Sequence, residues 1–261
     1  MGTVTLETQA EREPQGQTRI QSASRAMRIL LAVAASEDGM QAKEVAREFG
    51  LSLPTAYHLL NTLESEGVLF KDERRRYLIG SRASVIADAF NRGNTVSERQ
   101  LKALHLLAET TGETAYLSAW RRGEIVVLAT VEGSQAVRVV GLNAGYSENI
   151  HARASGKLLL AFSQDEIRDS IVKGLVLRRL TDATITNRAE LRRELDRIRA
   201  AGIAFDRQEF QESVECVSAP ILENGDVVAC FTVSTPAARF VKRSDKIIED
   251  LRRAASVAGT D

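Results

Sequence analysis

Side chains able to do chemistry are sparse in this chain of 261 residues, which holds only two cysteines and three histidines. Cys216, Asp206 and His151 would between them supply a thiol nucleophile, a base and an orienting group. Nothing in the sequence around Cys216 activates the thiol, and the alternation ECVSAPIL fits the wall of a buried strand. No catalytic residue is therefore assigned and no enzyme is expected. Turnover by a Cys216 nucleophile and a redox switch at Cys216 or Cys230 stand as alternatives. The cysteines and histidines are too widely spread for a recognisable zinc set, so neither metal nor cofactor is expected. A different chemistry, hydrogen bonding to base edges and phosphates, suits another group. Pro54, His58 and Asn61 recur on one helical face with Thr55, Tyr57 and Thr62 beside them, and Arg74, Arg75 and Arg76 follow in a run. Asparagine can pair with adenine, neutral histidine offers one donor and one acceptor, and arginines contact phosphates or the minor groove.

Those residues must be held by the stretch Gln41–Gly67, which reads as two short helices and a tight turn. Val45, Ala46 and Phe49 form an apolar stripe, Gly50 supplies a left-handed stop and Leu51 plugs the corner. Ser52 caps the second helix, with Pro54 tolerated in its first turn. Ala56, Leu59, Leu60 and Leu63 recur at helical spacing and face inward, leaving His58 and Asn61 outward. A helix-turn-helix entering the major groove needs this layout, although two packed helices with a merely hydrated face would show it too. Upstream, Ala26, Ile29, Leu30 and Val33 predict a covering helix capped by Ser22 or Ser24. Arg19, Arg25 and Arg28 near its start are candidate phosphate contacts. Downstream, Val68–Phe70 and Tyr77–Ile79 flank the charged tip Lys71–Arg76, which predicts a hairpin wing or else an ordinary solvated turn.

Composition bounds the rest. Hydrophobic residues at 44% suffice for globular cores, and 35 basic against 35 acidic residues leave no net charge, which neither supports nor excludes nucleic acid. No apolar run approaches the ~20 residues of a membrane span and no signal peptide is evident, so no membrane partner and a reducing, cytoplasmic setting are expected. Residues 1–18 are polar and read as a disordered lead. Residues 82–91 predict a helix followed by a break at Arg92–Asn94, and Glu98–Thr110 a second helix. Such helices are also placed to pair between subunits.

From Gly112 the period changes to two. Residues 113–120, 124–131 and 135–142 read as three strands, and SGK opens an apolar helix after them. Ser163 with Glu166 and Asn187 with Glu190 predict capping boxes, Gly202 a helix stop, and residues 203–210, 215–222 and 227–234 three more strands. A helix over Asp245–Val257 closes an α+β domain with an antiparallel sheet. Cys216 and Ser218 share one strand face, and Cys230, Thr232 and Ser234 another. Tyr116, Trp120 and Tyr146 are aromatic surface for a pocket or packing for a core.

Together the stretches QSASRAMRIL, KEVAREFGLSLPTAYHLLNTLESEGVL, YLIG, TGETAYL, HARASGKLLLA, IRAAGIAFDRQEF, ECVSAPI and ACFTVSTP resemble the IclR family of bacterial transcription regulators, over nearly the whole chain from Arg19 onward. The resemblance implies a disordered lead over 1–18 and a winged helix-turn-helix over 19–80. It further implies a linker helix over 81–96 and an effector-binding domain of GAF-like build over 97–261. It implies a repressor, working as a dimer or tetramer on near-palindromic double-stranded operator DNA, controlled by a small organic or aromatic acid. His58 departs from the family, whose members commonly carry arginine mid-helix. Carried over by position, the backbone amides of Ala154 and Ser155 would face an anionic ligand, as free amides at a helix start favour. Asp206, Cys216, Thr232 and Ser234 would line the pocket with polar atoms, with Tyr116 and Tyr146 adding aromatic surface. A winged helix used only for protein contacts is a further alternative.

Overall fold

The computed structural model describes residues 20–93, 95–139 and 142–259. The expected lead over 1–18 and the candidate phosphate contact Arg19 lie outside them. The chain divides into two compact units, Met1–Gly93 and Asn94–Asp261.

In the first unit, α1 (Gln21–Ala35), α2 (Ala42–Glu48) and α3 (Leu53–Ser65) enclose a core of Ile29, Val33, Val45, Ala56, Leu60, Leu63 and Tyr77. Burying each larger apolar side chain contributes roughly 1.5–3 kcal/mol, so this spacing by itself selects the three-helix packing. Strands β1 (Met40–Gln41), β2 (Leu69–Lys71) and β3 (Arg76–Ile79) form an antiparallel sheet in the order β1-β3-β2, and α4 (Ala83–Gly93) follows. Gly50 and Gly67 take φ of 61° and 70°, conformations open to glycine at no steric cost. Three details differ from expectation. Neither Ser22 nor Ser24 caps α1, because the helix begins at Gln21 with Ile20 in the cap position and no side-chain bond there. Leu59 is half-buried, at the rim of the core. Arg92 and Gly93, expected to form a break, are the last residues of α4.

The second unit opens with α5 (Glu98–Thr111), started by a reciprocal cap between Ser97 and Gln100 and stopped at Gly112 with φ 72°. Then come β4 (Thr114–Arg121), β5 (Glu124–Val131), α6 (Ala154–Ala161), α7 (Asp165–Gly174), α8 (Arg188–Ala201), β6 (Ala204–Arg207), β7 (Val214–Glu223), β8 (Asp226–Pro236) and α9 (Ala237–Ala258). The five strands pair antiparallel in the order β5-β4-β8-β7-β6. Side chains alternate across a sheet, and the register sorts them into two different faces. Ala115, Leu117, Val217, Ala219, Phe231 and Val233 share an apolar face packed by α5 and α9. Phe205 meets Phe240 of α9 there, 6.4 Å between ring centroids. The opposite face carries Tyr116, Ser118, Cys216, Ser218, Cys230, Thr232 and Ser234, and α6 packs against it.

Three expectations fail in this unit. The described part of 135–142 forms no strand: the Thr114 hydroxyl donates to the Val139 carbonyl at 2.7 Å, Arg138 turns to Glu132, and Val137 is exposed. Side-chain bonds hold that segment where ladder bonds were expected. Ser163 does not cap α7, since its hydroxyl donates back to the Leu160 carbonyl at 2.7 Å. The closing helix already starts at Ala237, after Pro236. Asn187 does cap α8, accepting from the amides of Ala189 and Glu190, but the expected return bond from the Glu190 side chain is not among those of the described residues. Among the described residues no helix is long and apolar enough to cross a membrane.

Candidate DNA-reading face and sensory cleft

The Ser52 side chain accepts from the Thr55 amide at 3.3 Å and meets the Thr55 hydroxyl at 2.7 Å, which fixes the first turn of α3 next to Pro54. Further along, His58 and Asn61 are exposed and Tyr57 is half-buried. The hydroxyl of Tyr77, itself fully buried, donates to Asn61 Oδ1 at 3.2 Å, so a core residue of β3 orients an exposed amide of α3. Lys71 on β2 lies over the rings of Tyr57 and Tyr77, at 5.7 and 5.2 Å, and joins the wing to the helix. No sequence pattern marked Lys71 out. Thr62, also exposed, donates its hydroxyl to the His58 carbonyl at 2.8 Å.

At the wing tip Asp72 organises the turn, its carboxylate accepting from the Arg76 amide at 2.7 Å. Arg74 and Arg75 are exposed, Arg75 at φ 60°. Arg76 departs from the expected role. It is the first residue of β3, not part of the tip, and its guanidinium donates to the carbonyls of Asp38 and Gly39, both at 2.6 Å, with Glu44 at 3.4 Å. Those bonds occupy Nε and Nη2 and fasten the hairpin to the turn before α2. Arg25 is exposed on α1, and Arg28 lies 5.7 Å from the centre of the Phe49 ring.

In the second unit, Tyr116, Arg153, Asp206, Phe210, Cys216 and Ser234 are among the residues lining a cleft with an empty volume of about 330 Å³. Asp206 sits opposite Cys216 in the β6–β7 ladder and Cys216 opposite Ser234 in the next, which brings the three together. The Cys216 thiol and Ser234 hydroxyl are 2.9 Å apart. Asp206 Oδ1 accepts from the amides of Glu209 and Phe210, at 2.7 and 3.2 Å. Burial and the neighbouring Glu209 nevertheless push its carboxyl up to about 7. Burial and the Asp206 charge push the Cys216 thiol far above its usual range, and burial holds the Tyr116 phenol protonated.

Other expected pocket residues are placed differently. Thr232 lies on the same sheet face but pairs with the Ser218 hydroxyl at 2.6 Å and does not line the cleft. Tyr146 is also outside the lining, with its ring edge-on to Phe210 and under the Arg153 guanidinium, 6.0 and 5.2 Å between centres. Trp120, half-buried, packs against the core and donates to the Leu159 carbonyl at 3.2 Å. Ala154 and Ser155 are buried at the start of α6, and Arg153 just before them reaches the cleft in their place. Arg153 was the missed residue. Its signal is a charged side chain directly preceding a helix whose residues Ala154–Ala161 are all buried.

A nucleophilic site is not assembled. His151 does not line the cleft and donates from Nε2 to the Arg178 carbonyl at 3.0 Å, while the Cys216 thiol stays protonated. The Cys230 thiol is likewise buried and pushed up to about 12. Among the described residues no group of three or more histidine, cysteine or acidic side chains could hold a metal ion.

Residues 22–73 match the IclR helix-turn-helix domain and residues 92–258 the C-terminal domain of bacterial IclR transcriptional regulators. The HTH-type transcriptional regulator BhcR of Paracoccus denitrificans (strain Pd 1222) is 32% identical over 240 residues, covering 89% of this chain and 85% of that one. The crystal structure of Thermotoga maritima IclR is 28% identical, with a TM-score of 0.70 over 92% of this chain and 98% of that chain. An IclR homologue from Microbacterium hydrocarbonoxydans, complexed with 4-hydroxybenzoate, shares the fold at 20% identity, with a TM-score of 0.64 over 91% and 97% of the two chains.

Proposed function

We infer the function of this chain from one premise: it belongs to the IclR family of bacterial transcriptional regulators. It is a regulator with a helix-turn-helix DNA-binding domain, not an enzyme. The finer reading is that a small molecule in the cleft controls operator binding, with residues 19–80 reading DNA, 81–96 acting as linker and 97–261 sensing. The observation that carries it is the cluster of Tyr116, Asp206, Cys216 and Ser234. These polar side chains are buried on one face of the sheet yet open to a cleft, while the centre of the other face carries Ala115, Leu117, Val217, Ala219, Phe231 and Val233. Held by bonds to one another and to backbone amides, they present fixed polar atoms to a molecule entering the cleft. The complex of the Microbacterium homologue with 4-hydroxybenzoate supports the capacity of the fold to take an aromatic acid.

On DNA, a homodimer, or a tetramer of two such pairs, would place two copies of α3 in successive major grooves about 34 Å apart on a near-palindromic site. Asn61, His58, Tyr57 and Thr55 would meet bases, and Ser52, Pro54, Arg25, Arg74 and Arg75 the backbone. The protein would act in the cytoplasm as a repressor, because occupancy of the operator excludes other proteins from the same grooves. Effector can shift that occupancy only by as much as it prefers one arrangement of the protein. Fluorescence anisotropy with duplexes from the regulator's own upstream region tests the DNA reading. Tight binding that weakens steeply as salt rises is expected, and weak, salt-insensitive binding would overturn it.

A further inference from the structure

Tyr77 stands at the centre of the small sheet, paired through β3 with Met40 on one side and Lys71 on the other, and is 0% exposed. Backbone ladders on both sides and the packed core around it hold its phenol in place. The hydroxyl therefore meets Asn61 Oδ1 from a fixed point beneath α3, 3.2 Å away. Lys71 Nζ lies 5.2 Å from the centre of the Tyr77 ring. A cation over a phenol draws electron density from its oxygen, which strengthens the hydroxyl as a donor and weakens it as an acceptor. The hydroxyl thus holds the oxygen end of the amide and not its nitrogen end. Asn61 itself is exposed, and its Nδ2 has no hydrogen-bond partner among the described residues. With Oδ1 turned to a buried donor, the NH2 group is what α3 presents outward at this position.

We propose that Tyr77 is a specificity-determining residue of the DNA-reading face, and that it makes Asn61 a donor-only reader that selects guanine. An asparagine takes adenine with both ends of its amide, Oδ1 accepting from N6 and Nδ2 donating to N7. That pairing needs the whole amide edge turned to the base, and Tyr77 keeps the oxygen back. Guanine presents two neighbouring acceptors, N7 and O6, which the N–H groups of Nδ2 satisfy without any acceptor from the protein. Adenine would set its N6 amine against the outward NH2, donor against donor, and cytosine N4 would do the same. Thymine O4 offers one acceptor where guanine offers two. The adenine pairing expected of Asn61 from its residue type alone is replaced by a contact that a core residue of β3 imposes. This rests on the reading of α3 as the base-reading helix and adds which base Asn61 takes and why.

The test uses the full chain with a randomised duplex pool, enriched for bound sequences, then titrations of duplexes carrying each base pair at every enriched position. Asn61→Ala marks the position that Asn61 reads, as the one whose preference it flattens. There the parent should favour guanine over adenine by roughly 2- to 10-fold, the range of one net hydrogen bond. Tyr77→Phe should remove that margin or reverse it, as the freed amide turns both ends to adenine. A residue that only filled the core would lower affinity for all duplexes alike. Affinity of Tyr77→Phe for a duplex of unrelated sequence, and its salt slope, should therefore stay as in the parent. Parent preference for adenine at that position, or a guanine margin undiminished in Tyr77→Phe, overturns the proposal. If Tyr77→Phe fails to fold, the parent's choice between guanine and adenine decides. If Asn61→Ala flattens no position, base reading lies elsewhere and the proposal falls, while tight, salt-dependent binding would still uphold the DNA reading of the domain.

Discussion

The two polar surfaces of this chain are built by opposite means. On α3 the polar residues point to solvent because Ala56, Leu60 and Leu63 take the inward side. In the cleft, Asp206, Cys216 and Ser234 are polar and buried, brought together by three strands whose pairing spans residues far apart in the chain. The first surface follows from a 3.6-residue period within one helix. The second depends on register across a sheet, where a slip of one residue would turn every side chain to the other face. A polar exterior needs only water, whereas a polar interior needs every group matched, so the two surfaces should respond very differently to substitution.

The largest effect is expected inside. Lys157→Met leaves Glu209 charged and unpaired, and thermal denaturation at pH 8 should show a loss of about 3–5 kcal/mol. The loss should shrink at acid pH, where Glu209, whose pKa burial already raises, takes up a proton. Asp206→Asn sharpens the contrast through pH. Its folded carboxyl is raised to about 7, so the folded state holds a proton that the unfolded chain has released. Stability from this group is present below the unfolded pKa and declines as pH rises towards 7. Denaturation at pH 5 and pH 8 should therefore favour Asp206→Asn over the parent by roughly 1–3 kcal/mol more at the higher pH.

On the exposed surface, Asn61→Ala should cost about 1 kcal/mol of stability through the lost Tyr77 bond and relax preference at one base position by about 1–3 kcal/mol, read from binding to a set of substituted duplexes. Unchanged preference would move base reading elsewhere on α3. The smallest effects separate neighbouring arginines. Arg75→Ala should weaken all duplexes alike and lower the salt slope by about 1. Arg76→Ala should leave that slope alone and lower stability by about 1 kcal/mol, because its partners are the Asp38 and Gly39 carbonyls.

Local signals were legible in proportion to their independence from distant partners. Gly50, the Ser52 cap and the Asn187 cap each need only a few neighbouring residues, and each is found as expected. The run Arg74–Arg76 does not reveal which arginine meets carbonyls near Asp38, since that contact joins residues distant in sequence. Residues 135–142 alternate like a strand, yet strand pairing needs a partner edge, and hydroxyls of β4 and β5 hold the Val139 and Leu142 carbonyls. Arg153 was hidden within a motif read for its backbone amides, because which of its donors go without a hydrogen-bond partner among the described residues becomes visible only once its neighbours are placed.

The bond from Tyr77 to Asn61 has a consequence for how this regulator would acquire a new target. If Asn61 reads a base, a determinant of operator choice lies in the hydrophobic core, at a residue that never approaches DNA. Loss of that one phenolic oxygen would let the Asn61 amide present donor and acceptor in either order. Selection for altered promoters that varied only the exposed face of α3 would then miss the position that sets its orientation.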